Sequence, residues 1–338
     1  MVSAAIFGCA GQTLSADERA FFADTDPWGF ILFRRNCETV EQTRALCDEL
    51  RDTVGRHAPI LIDHEGGRVS RLSPHIVPKR PAMGLFDLLA QRTDLETAAR
   101  AARLGGEILA RDVLSVGCNV NCVPMVDVRQ PDAHDIIGDR ALGMTPDQVA
   151  VLGRAVADGT LAGGCLPVLK HIPGHGRALS DSHLELPRVS VGREDLDEID
   201  FAPFRALNDL ALGMTAHIVY DAIDPDRPAT LSPPVLEVIR KDLGFDGLLM
   251  TDDLSMKALT GSYRDRAAHS LEAGCDLILH CNGDMDEMRD TANGLSALTS
   301  EAERRSDRAL KMLINPGVYD VAAAEQEFAS LTNGASLS

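Results

Sequence analysis

Cys165-Leu166-Pro167-Val168-Leu169 runs directly into Lys170-His171-Ile172-Pro173-Gly174-His175-Gly176. An apolar run stops there, and a lysine and two histidines follow in a segment whose proline and glycines forbid a regular helix. The segment reads as a shaped loop hung from the end of a buried strand, a common position for catalytic side chains. An aspartate and a third histidine follow at Asp181-Ser182-His183. The plainer reading is a polar surface loop that happens to be rich in histidine, and the pattern of the rest of the chain decides against it.

Seven other short apolar runs resemble this one: Ala4–Phe7, Gly29–Phe33, Pro59–Ile62, Asn119–Val123, Leu212–Ala216, Gly247–Thr251 and Asp276–Leu279. With Leu166–Leu169 they make eight candidate strands. They are continuous rather than alternating, as expected of strands buried on both faces. Helical segments with start signals separate them. Ser15-Ala16-Asp17-Glu18, Thr39-Val40-Glu41-Gln42 and Thr93-Asp94-Leu95-Glu96 fit the capping box, and Thr145-Pro146 and Ser232-Pro233 place proline at the first helical position. Strand and helix in alternation imply a parallel sheet, and eight such units predict an α/β fold of the (β/α)8 TIM-like barrel type in a single domain. A doubly wound open sheet is the alternative, but Gly8-Cys9-Ala10-Gly11 lacks the glycine spacing of a dinucleotide turn. No linker or internal repeat divides residues 1–338. Between the third and fourth strands lie an irregular segment over Ser73–Gly84 and a helix from about Leu95 to Leu114. The tail from about Pro316 is rich in Ala and Ser and is expected to fray or cap the barrel bottom.

Composition excludes several classes. A net charge of -18 over 338 residues opposes nucleic acid and anionic membrane as partners. No apolar run reaches the length of a membrane span, and Met1–Gly8 has no basic leader, so a cytoplasmic location is expected. The eight cysteines form no CxxC pair and mostly sit in apolar runs, the pattern of buried reduced thiols rather than of disulfides or zinc ligands. Aromatic content of 4% does not favour a long stacking groove for a polysaccharide.

In a barrel of this kind the site is built where the strands end. The third strand ends in Asp63-His64-Glu65-Gly66-Gly67-Arg68, with Arg71 beyond. The fourth leads to Asp127 and Gly138-Asp139-Arg140, the fifth to Lys170-His171, the sixth to His217, the seventh to Asp252-Asp253 and the eighth to His280. These polar groups converge on one rim and supply the cations, imidazoles and carboxylates of acid–base and nucleophilic work. Taken alone, His217 and His280 read equally well as hydrogen-bonded core histidines. Glu65, beside two glycines, reads as a support for the turn.

The motif Lys-His-x-Pro-Gly-His-Gly with a downstream Asp-Ser-His resembles the family 3 glycoside hydrolases, in their bacterial β-N-acetylglucosaminidase (β-hexosaminidase) branch. Asp63-x-Glu65-Gly66-Gly67-Arg68-Val69-x-Arg71 and Gly244-Phe245-x-Gly247-x(3)-Thr251-Asp252-Asp253-Leu254-Ser255-Met256 match further motifs of that family, in order, over roughly residues 25 to 285. The resemblance implies a TIM-like barrel, no cofactor and no metal. It also implies Asp252 as nucleophile, His183 as general acid/base with Asp181 as its partner, and Asp63, Arg71, Arg140, Lys170 and His171 as the residues that hold the non-reducing sugar. The implied substrate is terminal β-1,4-linked N-acetylglucosamine on 1,6-anhydro-muropeptides of cell-wall recycling, cleaved by a single-domain cytoplasmic enzyme that needs no obligate protein partner. The chain departs from the family pattern at His64, where Gln is usual, at Ile172, where Phe is usual, and at Leu142, where an aromatic residue is usual. These three are expected beside the sugar-binding positions, altering packing and affinity.

Glycoside cleavage needs an anion beside an oxocarbenium-like centre and a proton donor to the leaving oxygen. Neighbours on a strand point to opposite sides, so Asp252 and Asp253 cannot both face the axis if the strand runs on regularly, and the motif favours Asp252. Imidazole titrates near neutral pH, which suits His183 to both proton steps, and Asp181 can accept from one of its ring nitrogens. Four alternatives compete with this reading on the residues alone. A β-glucosidase or a β-N-acetylglucosaminide phosphorylase of the same family would use the same groups. A non-catalytic sugar-binding protein would be expected to have lost Asp252 or His183. A metal-dependent hydrolase would need His171 and His175 on one helical face, which Pro173 and Gly174 deny.

Overall fold

The computed structural model describes residues 1–131, 137–178, 186–314, 317 and 320–332. Eight parallel strands close into a barrel, each hydrogen-bonded to its neighbours in sequence order and the first paired with the last. In chain order they are Ser3–Gly8, Pro27–Leu32, Ile60–Ile62, Val120–Asn121, Leu166–Ile172, Leu212–Thr215, Leu248–Asp253 and Leu277–His280. Each coincides with one of the eight apolar runs, within a few residues at either end.

The continuous apolar runs resolve into two alternating faces. Ala4 and Ile6, Ile31, Leu61, Val120 and Cys122, Leu166 and Val168, Leu212 and Met214, Leu248 and Met250, and Leu277 and Leu279 meet in one cluster that fills the barrel. The intervening residues Ala5, Phe7, Phe30, Leu32, Ile60, Ile62 and Ile278 pack outward in a second cluster with the helical layer, while Leu169 and Leu249 join a third. Side chains two apart share a face, so each strand commits its even or odd positions to the interior. The same parity aims the polar residues at the strand ends: Leu61 leads to Asp63 and Glu65, Val168 to Lys170, and Met250 to Asp252.

Helices α1 (Ala16–Thr25), α2 (Val40–Val54), α3 (Gly84–Arg92), α4 (Leu95–Ser115) and α5 (Pro146–Ala162) occupy the first half of the chain. Ser15 and Glu18 form the reciprocal capping box that the sequence predicts for α1. Thr39 caps α2 through the Gln42 amide, but the Gln42 side chain accepts from Glu38 N instead of closing the box. The cap of α4 is Asp94, which accepts from Thr97 N, while Thr93 ends α3; a carboxylate one residue later displaces the threonine. Val321–Thr332 forms a further helix packed against α3 and α4, with Phe328 edge-on to Phe86 at 6.3 Å and Glu325 paired to Arg80 at 2.8 Å. The tail thus carries regular structure up to Thr332. All eight cysteines are buried free thiols. Among the described residues no helix is long and apolar enough to cross a membrane.

Candidate active site

A cleft of about 460 Å³ opens at the C-terminal ends of the strands. Asp63, Glu65, Arg71, Arg140, Lys170, His171, Asp252 and Asp253 line its polar side, and Phe33, Met214, Met256 and Leu279 its apolar side. Six residues singled out from the sequence, Asp63, Arg71, Arg140, Lys170, His171 and Asp252, therefore meet in one place. Asp181 and His183 lie outside the described residues.

The third strand continues into a tight antiparallel hairpin in which His64–Gly66 pairs with Val69–Ser70. Gly66 has φ 88°, and a Cβ there would stand 2.2 Å from Pro81 O, so only glycine serves. The hairpin carries Arg71 back over the strand end, where its Nη2 lies 3.2 Å from Asp63 Oδ2 and its guanidinium lies 5.0 Å from the Phe33 ring centre. Lys170 Nζ bridges Asp63 Oδ1 at 2.8 Å and Glu65 Oε1 at 2.7 Å. Arg140 donates through Nε and Nη2 to the two oxygens of Glu65 at 2.9 and 2.8 Å. The result is an alternating chain, Arg71–Asp63–Lys170–Glu65–Arg140. Burial by itself would push both carboxyls up; the cations beside them overcome it, holding Asp63 well below the ordinary carboxylate range and Glu65 at about 2. Lys170 is driven the other way by the same partners and stays charged although buried.

Glu65 does more than support the turn. It is 1% exposed and joins two of the cations expected to hold sugar. The signal that would have found it is the parity of the third strand, which puts Leu61, Asp63 and Glu65 on one side.

The fifth strand ends at His171, whose Nδ1 lies 2.7 Å from Asp127 Oδ2. Asp127 is fully buried, and its other oxygen accepts from the backbone of His175 at 2.6 Å and, at longer range, of His171. One carboxylate from the segment after the fourth strand therefore fixes both the imidazole and the start of the glycine-rich loop. Burial opposes the charge on Asp127, but His171 and these donors hold it below its ordinary range. His175 packs its ring 5.6 Å from that of His171, and burial together with His171 pushes it down to about 4, so it is neutral at pH 7. The loop is tied further by Tyr220, whose hydroxyl donates to Gly174 O, and by Arg177, whose Nε lies 2.6 Å from Asp200 Oδ2. At Gly176 a Cβ would stand 2.0 Å from Val128 O. This anchored stretch leads toward Asp181 and His183.

At the seventh strand both aspartates reach the cleft, against the expectation from regular alternation. The pairing with the eighth strand shifts register between Met250 and Asp253, which releases the parity of the last residue. Their roles differ. Asp253 accepts from Ser255 N, Ser255 Oγ and Cys281 N, so its carboxylate is spent on the turn. Asp252 keeps the inward parity of Leu248 and Met250, and one of its oxygens accepts from Asp253 N at 2.8 Å.

His217 and His280 do not line the cleft. His217 is held by Thr230 Oγ1 at 2.8 Å and Asp253 O at 3.0 Å, and His280 packs between Phe7 and Tyr263 beside Glu287. Both are hydrogen-bonded core histidines. The three departures from the family pattern also point away from the cleft. His64 sits on the opposite parity to Asp63 and contacts Ser70 Oγ at 2.9 Å, with Asp112 Oδ2 3.5 Å from its other nitrogen. Leu142 and Ile172 are core residues of the outer layer. They pack behind the site and are not among the residues that line the cleft. Among the described residues no group of three or more His, Cys, Asp or Glu is placed to hold a metal ion.

Residues 6–314 match the family model described as the glycosyl hydrolase family 3 N-terminal domain. The chain is 38% identical to the beta-hexosaminidase of Methylococcus capsulatus over 282 residues, 82% of each protein, and 35% identical to that of Neisseria gonorrhoeae over 83% of this chain and 79% of the other. The structure of NagZ from N. gonorrhoeae in complex with N-trifluoroacetyl-D-glucosamine superposes with a TM-score of 0.87 at 30% identity, covering 97% of this chain and 98% of that one. A second structure of that protein is in complex with a zinc ion. A family 3 β-N-acetylglucosaminidase from Paenibacillus gives a TM-score of 0.78 at 31% identity, with this chain spanning 63% of its length. The chain belongs to the family 3 glycosyl hydrolases. Within that family it is a glycoside hydrolase of the β-hexosaminidase, NagZ-like type.

Proposed function

We propose that this chain is a retaining exo-β-N-acetylglucosaminidase that removes non-reducing terminal β-1,4-linked N-acetylglucosamine, with anhydromuropeptides of peptidoglycan recycling as its cytoplasmic substrates. Residues 1–338 would then act as one catalytic domain. The observation that carries the reading is the meeting of Asp252, on the inward parity of its strand, with Asp63, Arg71, Arg140, Lys170 and His171 in one cleft. The aminosugar bound to the gonococcal relative supports N-acetylglucosamine over glucose.

In this mechanism Arg71, Arg140 and Lys170 donate to hydroxyls of the terminal sugar, Asp63 accepts from the same ring, and His171 contacts it. An Asp252 carboxylate oxygen attacks C1 while the bond from C1 to the leaving oxygen breaks. His183, oriented by Asp181, gives that oxygen its proton. Water then attacks C1 of the glycosyl-aspartate, His183 takes the water proton, and Asp252 leaves. Two displacements return the β configuration.

The test is release of p-nitrophenol from its β-N-acetylglucosaminide and its β-glucoside, each with EDTA, and each with and without phosphate. Turnover of the N-acetylglucosaminide alone, unaffected by EDTA or phosphate, is the expected result. Inhibition by EDTA would replace the reading with a metal-dependent one. Dependence on phosphate would make the chain a phosphorylase, and turnover of neither glycoside would leave sugar binding. The acid role of His183 has its own check: His183→Ala should slow glycosides with poor leaving groups at least about 100-fold more than p-nitrophenyl glycosides, whose leaving group needs little protonation. Equal losses on both would remove that role.

A further inference from the structure

We infer that Glu65 is a positioning residue for sugar binding, acting through Lys170 and Arg140; the inference rests on the reading of this cleft as the sugar site. Three observations support it. Glu65 is the only carboxylate in contact with both cations among the described residues, at 2.7 Å from Lys170 Nζ and 2.8 Å from Arg140 Nη2. Its contact with Arg140 is a two-point fork, so it fixes the plane of the guanidinium as well as its place. It joins residues from three separate places in the barrel: its own strand end, the end of the fifth strand, and the 138–140 turn after the fourth.

The geometry at Lys170 explains what this does. An ammonium has three N–H donors at fixed mutual angles. Asp63 Oδ1 takes one and Glu65 Oε1 takes a second, at 2.8 and 2.7 Å. Two fixed donors determine the direction of the third, and Lys170 lines the cleft. Asp63 alone would leave the ammonium free to rotate about a single contact, so Glu65 converts a flexible cation into an aimed donor. It does the same for Arg140. The entropy of ordering both side chains is met in the folded protein before sugar arrives.

A residue that only neutralised buried charge would contribute to stability and leave sugar affinity alone. Glu65→Gln keeps the shape and one acceptor but turns an NH2 toward a cation. Glu65→Asp keeps the charge and draws it back by one methylene. The expected result for both is a KM for the β-N-acetylglucosaminide raised about tenfold or more, with kcat changed less than about threefold, because the lost contacts serve binding in ground and transition states alike. Glu65→Ala assayed with formate should recover part of the lost affinity, and the same concentration of chloride should not. If Glu65→Gln does not fold, Glu65→Asp, which retains the ion pairs' charge, carries the comparison. Calorimetric titration with N-acetylglucosamine gives the same contrast without turnover, so it separates the two readings. Parent binding with unchanged affinity in the Glu65 variants overturns the role of Glu65 and spares the sugar site. No binding by the parent overturns both.

Discussion

Asp252 and Asp253 are adjacent and chemically identical, yet the structure gives them different work. Asp253 is saturated by Ser255 and Cys281, and Asp252 follows Leu248 and Met250 toward the axis. Asp252→Ala should lower kcat by about 10³-fold or more with a thermal midpoint within a few degrees of the parent, since a nucleophile is lost and no packed group is removed. Steady-state kinetics beside a melting curve check it. His175 supplies a pH dependence. Its folded pKa, about 4, is depressed from the ordinary 6.5, so its stabilising contribution is fully present above pH 6.5 and is lost as pH falls through 4. The shift corresponds to about 3 kcal/mol. Asp200 works with the opposite sign. Burial raises it to about 6 against the pull of Arg177, so its contribution is full below pH 3.8, fades as pH rises through 6, and partly offsets the loss on acidification. His175→Gln should therefore shrink the difference in urea stability between pH 7.5 and pH 4.5 by about 2 kcal/mol. An unchanged difference would show that His175 is not the group responsible.

The elements differ in how they are held. The hairpin after the third strand and the loop after the fifth hang on buried ion pairs and on glycines that approach neighbouring backbone, as at Gly66 and Gly176. The C-terminal helix Val321–Thr332 is held by Phe328 on Phe86 and by Arg80, which forks onto Asp112 at 2.6 and 2.8 Å and reaches Glu325 at 2.8 Å. Asp112 is 7% exposed and also faces His64. Removing Arg80 leaves that carboxylate buried without its main partner, so Arg80→Ala should cost about 3 kcal/mol in urea denaturation. A loss below about 1 kcal/mol would mean that the helix and its ion pairs add little to the barrel.

At the scale of the whole molecule, closure makes each strand depend on two neighbours, and the interior cluster draws side chains from all eight. Trp28 is the chain's one tryptophan; it is 2% exposed in the second strand, with Nε1 donating at 2.7 Å to Ser306 Oγ of the Ser300–Leu310 helix. Its fluorescence therefore reports the contact between that strand and the helical layer. Tryptophan emission and far-UV circular dichroism should show a single coincident urea transition. Separate midpoints would divide the barrel into independently unfolding parts.

The sequence by itself determined the barrel, because eight doubly buried strands separated by capped helices have few other ways to bury both faces. It also determined most of the polar residues of the cleft, which stand where apolar runs end. It misplaced the cap of α4 by one residue, where Thr93 and Asp94 compete locally. Tertiary structure alone decided that Asp253 reaches the cleft beside Asp252 and that His64, His217 and His280 do not line it. It also decided that one buried aspartate, Asp127, would hold His171 and His175. The physical reason is that a strand end is read from local hydrophobicity, whereas a partner is set by register and by chain segments far apart in sequence. Glu65 meets Arg140 and Lys170 only because closure brings the third, fourth and fifth strands side by side.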